Sequence, residues 1–100
     1  MKESELQAAI IEMAHYSGWL VYHTHDSRRS NPGFPDLVMV HPKHKITVFA
    51  ELKSATGRLS PEQQLWADAL HTVCNLQTLR YFLWRPEDLD DALAYLQKPA

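Results

Sequence analysis

Two short motifs, separated by a β-rich run, constrain this chain most. The first reads Gly-Phe-Pro-Asp at residues 33–36, and the second reads Glu-Leu-Lys at residues 51–53. Side chains alternate between the two faces of a strand. Glu51 and Lys53 are therefore expected to project from one face, while Leu52 points into the core.

The residues between the motifs predict a β-hairpin. Asp36 begins the apolar run 37–40, and the turn signal His-Pro-Lys-His at 41–44 folds that run back against residues 46–53. Because the two strands of a hairpin lie side by side, we expect Asp36 to lie beside Glu51.

This hairpin predicts a metal site. The carboxylates of Asp36 and Glu51, with the backbone carbonyl of Leu52, suit Mg²⁺ or Mn²⁺, hard ions that prefer oxygen ligands and retain waters for a substrate phosphate. Lys53 would lie near the attacking water or the phosphate. A lone Glu-x-Lys is common on solvated strands that carry only salt bridges. An Asp after Gly-x-Pro at hairpin distance makes a metal-dependent nuclease the stronger interpretation.

Length and composition favour one globular domain. The chain has 100 residues, of which 45% are hydrophobic, enough for one core without a separate binding module. No apolar stretch approaches the roughly 20 residues that span a bilayer, and the first residues do not form a signal peptide. We therefore expect a cytosolic protein, of bacterial or phage-infected host cytosol, without membrane contact. The single cysteine, Cys74, excludes an internal disulfide and is expected to be buried and inert.

The charge is unevenly distributed. Net charge is −2, but residues 27–58 carry a local balance of +4. The acids in that segment are the expected metal ligands, so a bound cation would make the surface more positive, as phosphate contact requires. Its basic residues are Arg28, Arg29, Lys43, Lys45, Lys53 and Arg58.

The six histidines raise the alternative of a zinc site. However, no His-x₃-His helix pair and no Cys-x-x-Cys accompanies them. His23 and His25 share one face of a predicted strand, so a metal role there stays open. Phosphate contact or plain exposure is the favoured interpretation.

Hydrophobic periodicity and turn residues predict the order αβββαβα. The first helix ends at Ser17-Gly18, and the second begins with a capping box at Ser60-Pro61-Glu62-Gln63. The predicted helices are 4–16, 60 to about 74 and 85 onward, and the predicted strands are 19–24, 36–41, 46–53 and 78–84. The apolar positions of the second helix are Leu65, Trp66, Ala69 and Leu70.

Two polar side chains fall on apolar helix faces. Glu3 lies within about 60° of Leu6 and Ile10, and Gln63 within about 60° of Trp66 and Leu70. A buried polar group needs partners, and a metal-bound water, Lys53 or a phosphate would supply them. The alternatives are a frayed, solvated helix start for Glu3 and the capping box alone for Gln63.

Several motifs in order resemble the virus-type replication-repair nuclease (VRR-NUC) domain. They are Asn31 with Gly-Phe-Pro-Asp at 33–36, Phe-Ala-Glu-Leu-Lys at 49–53, Gly-Arg-Leu-Ser-Pro-Glu-Gln-Gln-Leu-Trp at 57–66 and the opening Glu-x-x-Leu-Gln at 3–7. This domain is a branch of the restriction-endonuclease-like superfamily, and the resemblance covers nearly the whole chain.

The resemblance implies an α/β fold with an αβββαβ core, to which this chain adds a C-terminal helix, and a mixed sheet flanked by helices. It implies Mg²⁺ or Mn²⁺ held by Asp36 and Glu51. It also implies catalytic contributions from Glu3, Lys53 and Gln63, with Glu3 anchoring a second metal or a water and Gln63 positioning Lys53 or the phosphate.

Family members occur alone in phages and bacteria or within the eukaryotic Fanconi-associated nuclease, and this chain resembles the stand-alone phage type. Similar minimal domains act as homodimers on four-way junctions, which suggests Holliday-junction resolution here. One departure is that the family usually has a glycine after the second helix, where this chain has Cys-Asn-Leu-Gln at 74–77. Asn75 tolerates the left-handed conformation of a C-cap, so the fold is not threatened.

The expected activity is in-line hydrolysis of a phosphodiester in branched DNA. Contacts to the DNA backbone are expected from Arg28, Arg29, Asn31, Lys43, Lys45 and Arg58. The alternatives are a nicking or sequence-specific endonuclease of the same superfamily and a non-catalytic nucleic-acid-binding subunit of a replication complex.

A homodimer is expected because paired cuts on a junction need two equivalent sites. The chain is rich in large aromatic groups, some of which are expected to form an exposed patch. The alternative is that all of them belong to one monomer core. These residues are Tyr16, Trp19, Trp66, Tyr81, Trp84 and Tyr95.

Overall fold

The computed structural model describes residues 1–24 and 31–99. Within these ranges the elements follow the predicted order αβββαβα. The three helices are α1 (Glu3–Tyr16), α2 (Pro61–Val73) and α3 (Leu89–Gln97), and a short 3₁₀ turn (Pro86–Asp88) precedes α3. The four strands are β1 (Leu20–His23), β2 (Leu37–His41), β3 (Ile46–Leu52) and β4 (Leu79–Trp84).

The strands form one mixed sheet in the order β1-β2-β3-β4. The pairs β1-β2 and β2-β3 are antiparallel, whereas β4 lies parallel to β3 because α2 crosses over between them. Leu37 pairs with Ala50 in the β2-β3 register, so Asp36 lies opposite Glu51 one step further along. The predicted hairpin and its register are confirmed.

One face of the sheet carries the main core. Helices α1 and α3 pack on it, because α1 presents Leu6, Ile10 and Ala14 at helical spacing to the alternate residues of β2 and β3. Trp19 closes this core, and its indole Nε1 donates to the carbonyl of Leu96 at 2.9 Å. The buried strand residues on this face are Leu37, Met39, Ile46, Val48, Ala50, Leu52 and Trp84.

The opposite face is only half covered. Helix α2 packs over β3 and β4, where Ala67 and Leu70 meet Tyr81. The β1-β2 half remains open, and Leu20 and Tyr22 are 69% and 63% exposed. Glu51 and Lys53 project from this second face, so the candidate site lies on the half-open side of the sheet.

Helix α2 turns fewer apolar residues inward than expected. Leu65 and Ala69 are exposed, because only Ala67 and Leu70 are buried against the sheet and Trp66 is half-buried. Cys74, expected to be buried, is half-buried at the C-cap of α2.

The turn after α2 also differs from the prediction. Leu76, not Asn75, adopts the left-handed conformation, with φ of 65°. The reason is the side chain of Asn75, whose Oδ1 accepts hydrogen bonds from the backbone N–H groups of Gln77 and Thr78 at 3.0 and 2.7 Å. These bonds place Asn75 at the start of a side-chain-capped turn and leave the strained position to Leu76.

Most of the aromatic residues belong to the core. Trp19, Tyr81 and Trp84 are buried, whereas Tyr16 is 85% exposed at the end of α1. None of the helices in the described ranges is both long enough and apolar enough to cross a membrane.

Candidate active site

The site lies where β3 ends on the second face of the sheet. Asp36, just before β2, accepts a hydrogen bond through Oδ2 from the backbone N–H of Leu52 at 2.8 Å. This bond fixes the Asp36 carboxylate beside Glu51, the last residue of β3 but one. The structure therefore brings together the two carboxylates that the sequence pairs.

Glu51 is almost fully buried, with 2% of its surface exposed. Burial raises the pKa of Glu51 to about 8, and both the charge of Asp36 and a side-chain hydrogen bond with Asp36 add to the rise, while the Lys53 ammonium opposes it. Its Oε2 accepts a hydrogen bond from Nε2 of Gln63 at 3.1 Å. Its Oε1 is buried and has no partner of good hydrogen-bond geometry among the described residues.

This environment fits a divalent cation. A buried carboxylate that faces a second carboxylate is costly unless a proton or a cation compensates the paired charge. The described ranges contain no group of three or more His, Cys, Asp or Glu side chains placed to share an ion. The candidate ligands are thus Asp36 and Glu51, with the carbonyl of Leu52 as the predicted third oxygen.

Gln63 both completes the capping box and reaches into the site, although its partner there is Glu51 rather than the predicted Lys53, phosphate or metal-bound water. Its backbone N–H donates to Oγ of Ser60 at 3.1 Å, and its Oε1 accepts from the Ser60 N–H at 2.8 Å, which completes the capping box of α2. Nε2 of its side-chain amide donates to Oε2 of Glu51. The cap therefore orients the amide toward the carboxylate.

Gly33 allows the loop before Asp36 to approach the start of α2. Its φ is +86°, and a Cβ there would collide with the carbonyl group of Glu62 and lie 2.8 Å from the backbone nitrogen of Gln63. Only glycine combines this conformation with so close an approach. The packing brings the two motifs that supply Asp36 and Gln63 into one site.

A cavity of about 410 Å³ opens beside Asp36 and Gln63. Thr24, Asn31 and Phe34 also line it, so the predicted DNA contact Asn31 lies in the same cavity as Asp36. The ring of Phe34 packs edge-on against Trp66, with the ring centroids 5.0 Å apart, and so connects the loop before Asp36 to α2.

Glu3 is exposed, so the prediction that it faces inward is wrong. It is the first residue of α1 and lies at the open end of the helix, where solvent reaches the side chain. Its charge nevertheless raises the pKa of Glu51, more weakly than Asp36 does. Glu3 therefore lies near the carboxylate pair without belonging to a three-carboxylate cluster.

The predicted basic contacts are spread over the molecule. Lys53 is half-buried beside the carboxylates, and Arg58 is exposed on the loop that follows. Lys43 and Lys45 lie in the turn at the opposite end of the hairpin, roughly 15 Å of strand away from Asp36. Arg28, Arg29 and His25 fall outside the described residues.

Sequence reasoning missed two neighbours of the site on β4 and just beyond it. Tyr81 is buried, and burial together with the charges of Glu51 and Asp36 raises its pKa to about 12, so its hydroxyl stays protonated. Arg85 contacts the loop after Lys53. For Tyr81 the available signal was alternation, because its β3 partner Phe49 shares a face with Glu51.

The fold and the paired Asp and Glu-x-Lys motifs define the restriction-endonuclease-like class of nucleases. The model of the VRR-NUC domain family matches residues 1–78, and the chain belongs to this family. A solved VRR-NUC domain superposes with a TM-score of 0.68 and 20% identity, covering 93% of this chain and 95% of the other.

A curated relative, the Fanconi-associated nuclease 1 homolog of Schizosaccharomyces pombe, is 40% identical over 47 residues. The match covers 47% of this chain but only 7% of the relative. The likeness is thus confined to a small part of a much longer protein.

Proposed function

We propose that this protein is a metal-dependent, structure-specific DNA endonuclease that cleaves branched DNA, including four-way junctions. The observation that carries the proposal is the convergence of Asp36, Glu51 and Gln63 at the end of β3, with Lys53 on the same face. The similarity to a Fanconi-associated nuclease homolog supports a DNA substrate.

Asp36 and Glu51, with the carbonyl of Leu52, would hold Mg²⁺ or Mn²⁺. When bound, the ion would supply Lewis-acid stabilisation of the scissile phosphate and lower the pKa of a water. Asp36 is held in place by the Leu52 N–H, and Gln63 orients the Glu51 carboxylate.

Lys53 would stabilise charge that develops on the phosphate or orient the attacking water. Glu3 would act through a water, since it is exposed and near Glu51. Asn31, which lines the cavity, and Arg58, which lies on the loop after Lys53, would hold the DNA backbone. Arg28, Arg29, Lys43 and Lys45 are proposed as further backbone contacts.

The protein would work as a homodimer, since one domain supplies one site and a four-way junction needs two opposed cuts. The open half of the sheet supports a two-fold interface. Leu20 and Tyr22 on the edge strand β1 and Val38 and Val40 on β2 share this face, and none is charged. A symmetric partner meets its own patch, so an uncharged apolar patch avoids like-charge repulsion across the axis.

The test is a panel of end-labelled duplex, flap, splayed-arm and four-way DNAs, each incubated with Mg²⁺, Mn²⁺ or EDTA. We expect cleavage of branched substrates with either metal and none with EDTA. Equal cleavage of plain duplex would indicate a nicking or sequence-specific enzyme. Binding without cleavage under all metal conditions would overturn the proposal in favour of a non-catalytic subunit.

A further inference from the structure

Arg85 holds the loop that follows Lys53. It comes directly after β4, and its Nη1 donates to the carbonyl oxygens of Ser54 at 2.8 Å and Gly57 at 2.6 Å. One guanidinium nitrogen thus joins both ends of the turn at 54–57. The turn also closes on itself, because the Gly57 N–H donates to Oγ of Ser54 at 3.0 Å.

The backbone of Arg85 is itself fixed. Its N–H donates to Oδ2 of Asp88 at 2.8 Å, and its carbonyl accepts from the Asp88 N–H at 2.8 Å. On the other side, the Lys53 N–H donates to the carbonyl of Trp84 at 3.1 Å. Arg85 therefore projects from a rigid position next to Lys53 on the neighbouring strand.

The turn that Arg85 holds lies close to the side chain of Lys53. A Cβ at Gly57 would lie 3.5 Å from Cδ of Lys53 and 3.0 Å from Oγ of Ser54. Little more than the space of one methyl group thus separates Gly57 from the aliphatic stem of Lys53. A lysine stem has four rotatable bonds, so a wall on one side restricts where the ammonium points.

We propose that Arg85 is a positioning residue that acts through Lys53. By holding the 54–57 turn against the Lys53 stem, it directs the ammonium toward Glu51 and the substrate phosphate. This role rests on the proposed nuclease function. The family model ends at residue 78, so the match to VRR-NUC assigns nothing at Arg85.

The first test removes the two hydrogen bonds while keeping an unbranched side chain. Arg85→Met should slow single-turnover cleavage of a four-way junction roughly 10- to 100-fold. This is the loss typical of residues that orient the groups of a metal site without contacting the metal. Junction affinity, measured without metal, should stay within about twofold. Lys98→Met, at an exposed cation after α3, controls for the loss of one charge and should leave both values unchanged.

A double-mutant cycle separates positioning from general support. In a Lys53→Ala background, Arg85→Met should cause no further loss of rate, because the group it positions is gone. Equal losses in both backgrounds would overturn the proposal. A loss of affinity with an unchanged cleavage rate would make Arg85 a phosphate contact and also overturn it.

Two further measurements keep the idea falsifiable if Arg85→Met folds poorly. Gly57→Ala leaves Arg85 intact but places a methyl group only 3.0 Å from Oγ of Ser54, beside the Lys53 stem, so the 54–57 turn must shift and cleavage should slow only when Lys53 is present. Arg85→Lys is a more conservative variant that should release the 54–57 turn. In metal-free protein, its Lys53 should be acetylated several-fold faster than Lys53 of the wild type. Mass spectrometry measures the rate, with Lys45 as the internal reference. An unchanged Lys53 reactivity would contradict the role even if the wild type cleaves DNA. Absence of cleavage by the wild type would instead overturn the proposed function, and this role with it.

Discussion

Nε2 of Gln63 donates to Oε2 of Glu51 at 3.1 Å, while the other hydrogen-bonding groups of Gln63 cap helix α2 through Ser60. One side chain therefore ties the start of a helix to a buried carboxylate. The hydrogen bond to Glu51 therefore comes from a side chain that is held in the first turn of α2.

Gln63→Ala and Ser60→Ala form a matched pair that separates these two roles. Each breaks the capping box and should lower the free energy of unfolding by about 1 kcal/mol. Only Gln63→Ala also removes the bond to Glu51, so only this variant should lose roughly 10- to 100-fold in cleavage rate. Urea unfolding and single-turnover cleavage measure the two effects. Equal cleavage losses in both variants would show that Gln63 acts through the cap alone.

Asp36→Ala and Glu51→Ala should each abolish cleavage, because each removes a carboxylate from a site with two. Both variants should keep the native circular dichroism spectrum, since neither side chain supplies an apolar core contact. Asp90→Asn, at an exposed acid of α3, is the control for loss of one negative charge. Wild-type cleavage by either alanine variant in Mg²⁺ would refute the metal assignment.

Lys53→Ala should lose turnover far more than affinity, with a rate loss of roughly 10²- to 10³-fold as for removal of one charge-stabilising donor. Arg58→Ala and Lys45→Ala should instead weaken binding and each reduce the slope of log affinity against log salt by about one unit. Fluorescence anisotropy at several salt concentrations measures the slope. If Lys53→Ala changes only affinity, Lys53 is a backbone contact and the proposed chemistry is wrong.

The sequence predicted the fold and the carboxylate pair because these depend on local signals. Alternation places Glu51 and Lys53 on one face, and a short turn brings Asp36 back to Glu51. The family resemblance is confirmed by the match over residues 1–78. The metal, the junction substrate and the site roles stay predictions.

The features that the sequence did not predict depend on long-range packing. Helical spacing places Glu3 on the apolar stripe of α1, but it does not show how far the sheet extends beneath that helix. Glu3 is exposed at the first residue of α1. The contact of Arg85 with Ser54 joins residues 31 positions apart, so no local pattern announces it. Leu76 takes the strained turn position because of side-chain bonds from Asn75, which propensity alone would not predict.

If the open face of β1 and β2 forms the dimer interface, one charge added there should separate the protomers. Tyr22→Lys places an ammonium on the open sheet face near its own copy across the two-fold axis, so the variant should sediment as a monomer at micromolar concentration. Tyr16→Lys, at the 85% exposed residue that ends α1, should leave the dimer intact. Dissociation by Tyr16→Lys alone would move the interface to α1. A wild type that is monomeric both free and on junction DNA would defeat the dimer.

The raised pKa of Glu51, about 8 against a usual 4.5, predicts how metal-free stability depends on pH. Between these values the folded protein keeps a proton on Glu51 that the unfolded chain has released. The free energy of unfolding in EDTA should therefore fall as pH rises from about 4.5 to about 8, and this contribution should be flat above that. Glu51→Gln removes the titrating group, so the slope should be shallower in this variant, whereas Glu62→Gln, at an exposed acid, should keep it. Urea unfolding at several pH values measures the difference, and identical slopes for wild type and Glu51→Gln would contradict a protonated Glu51 in the metal-free fold.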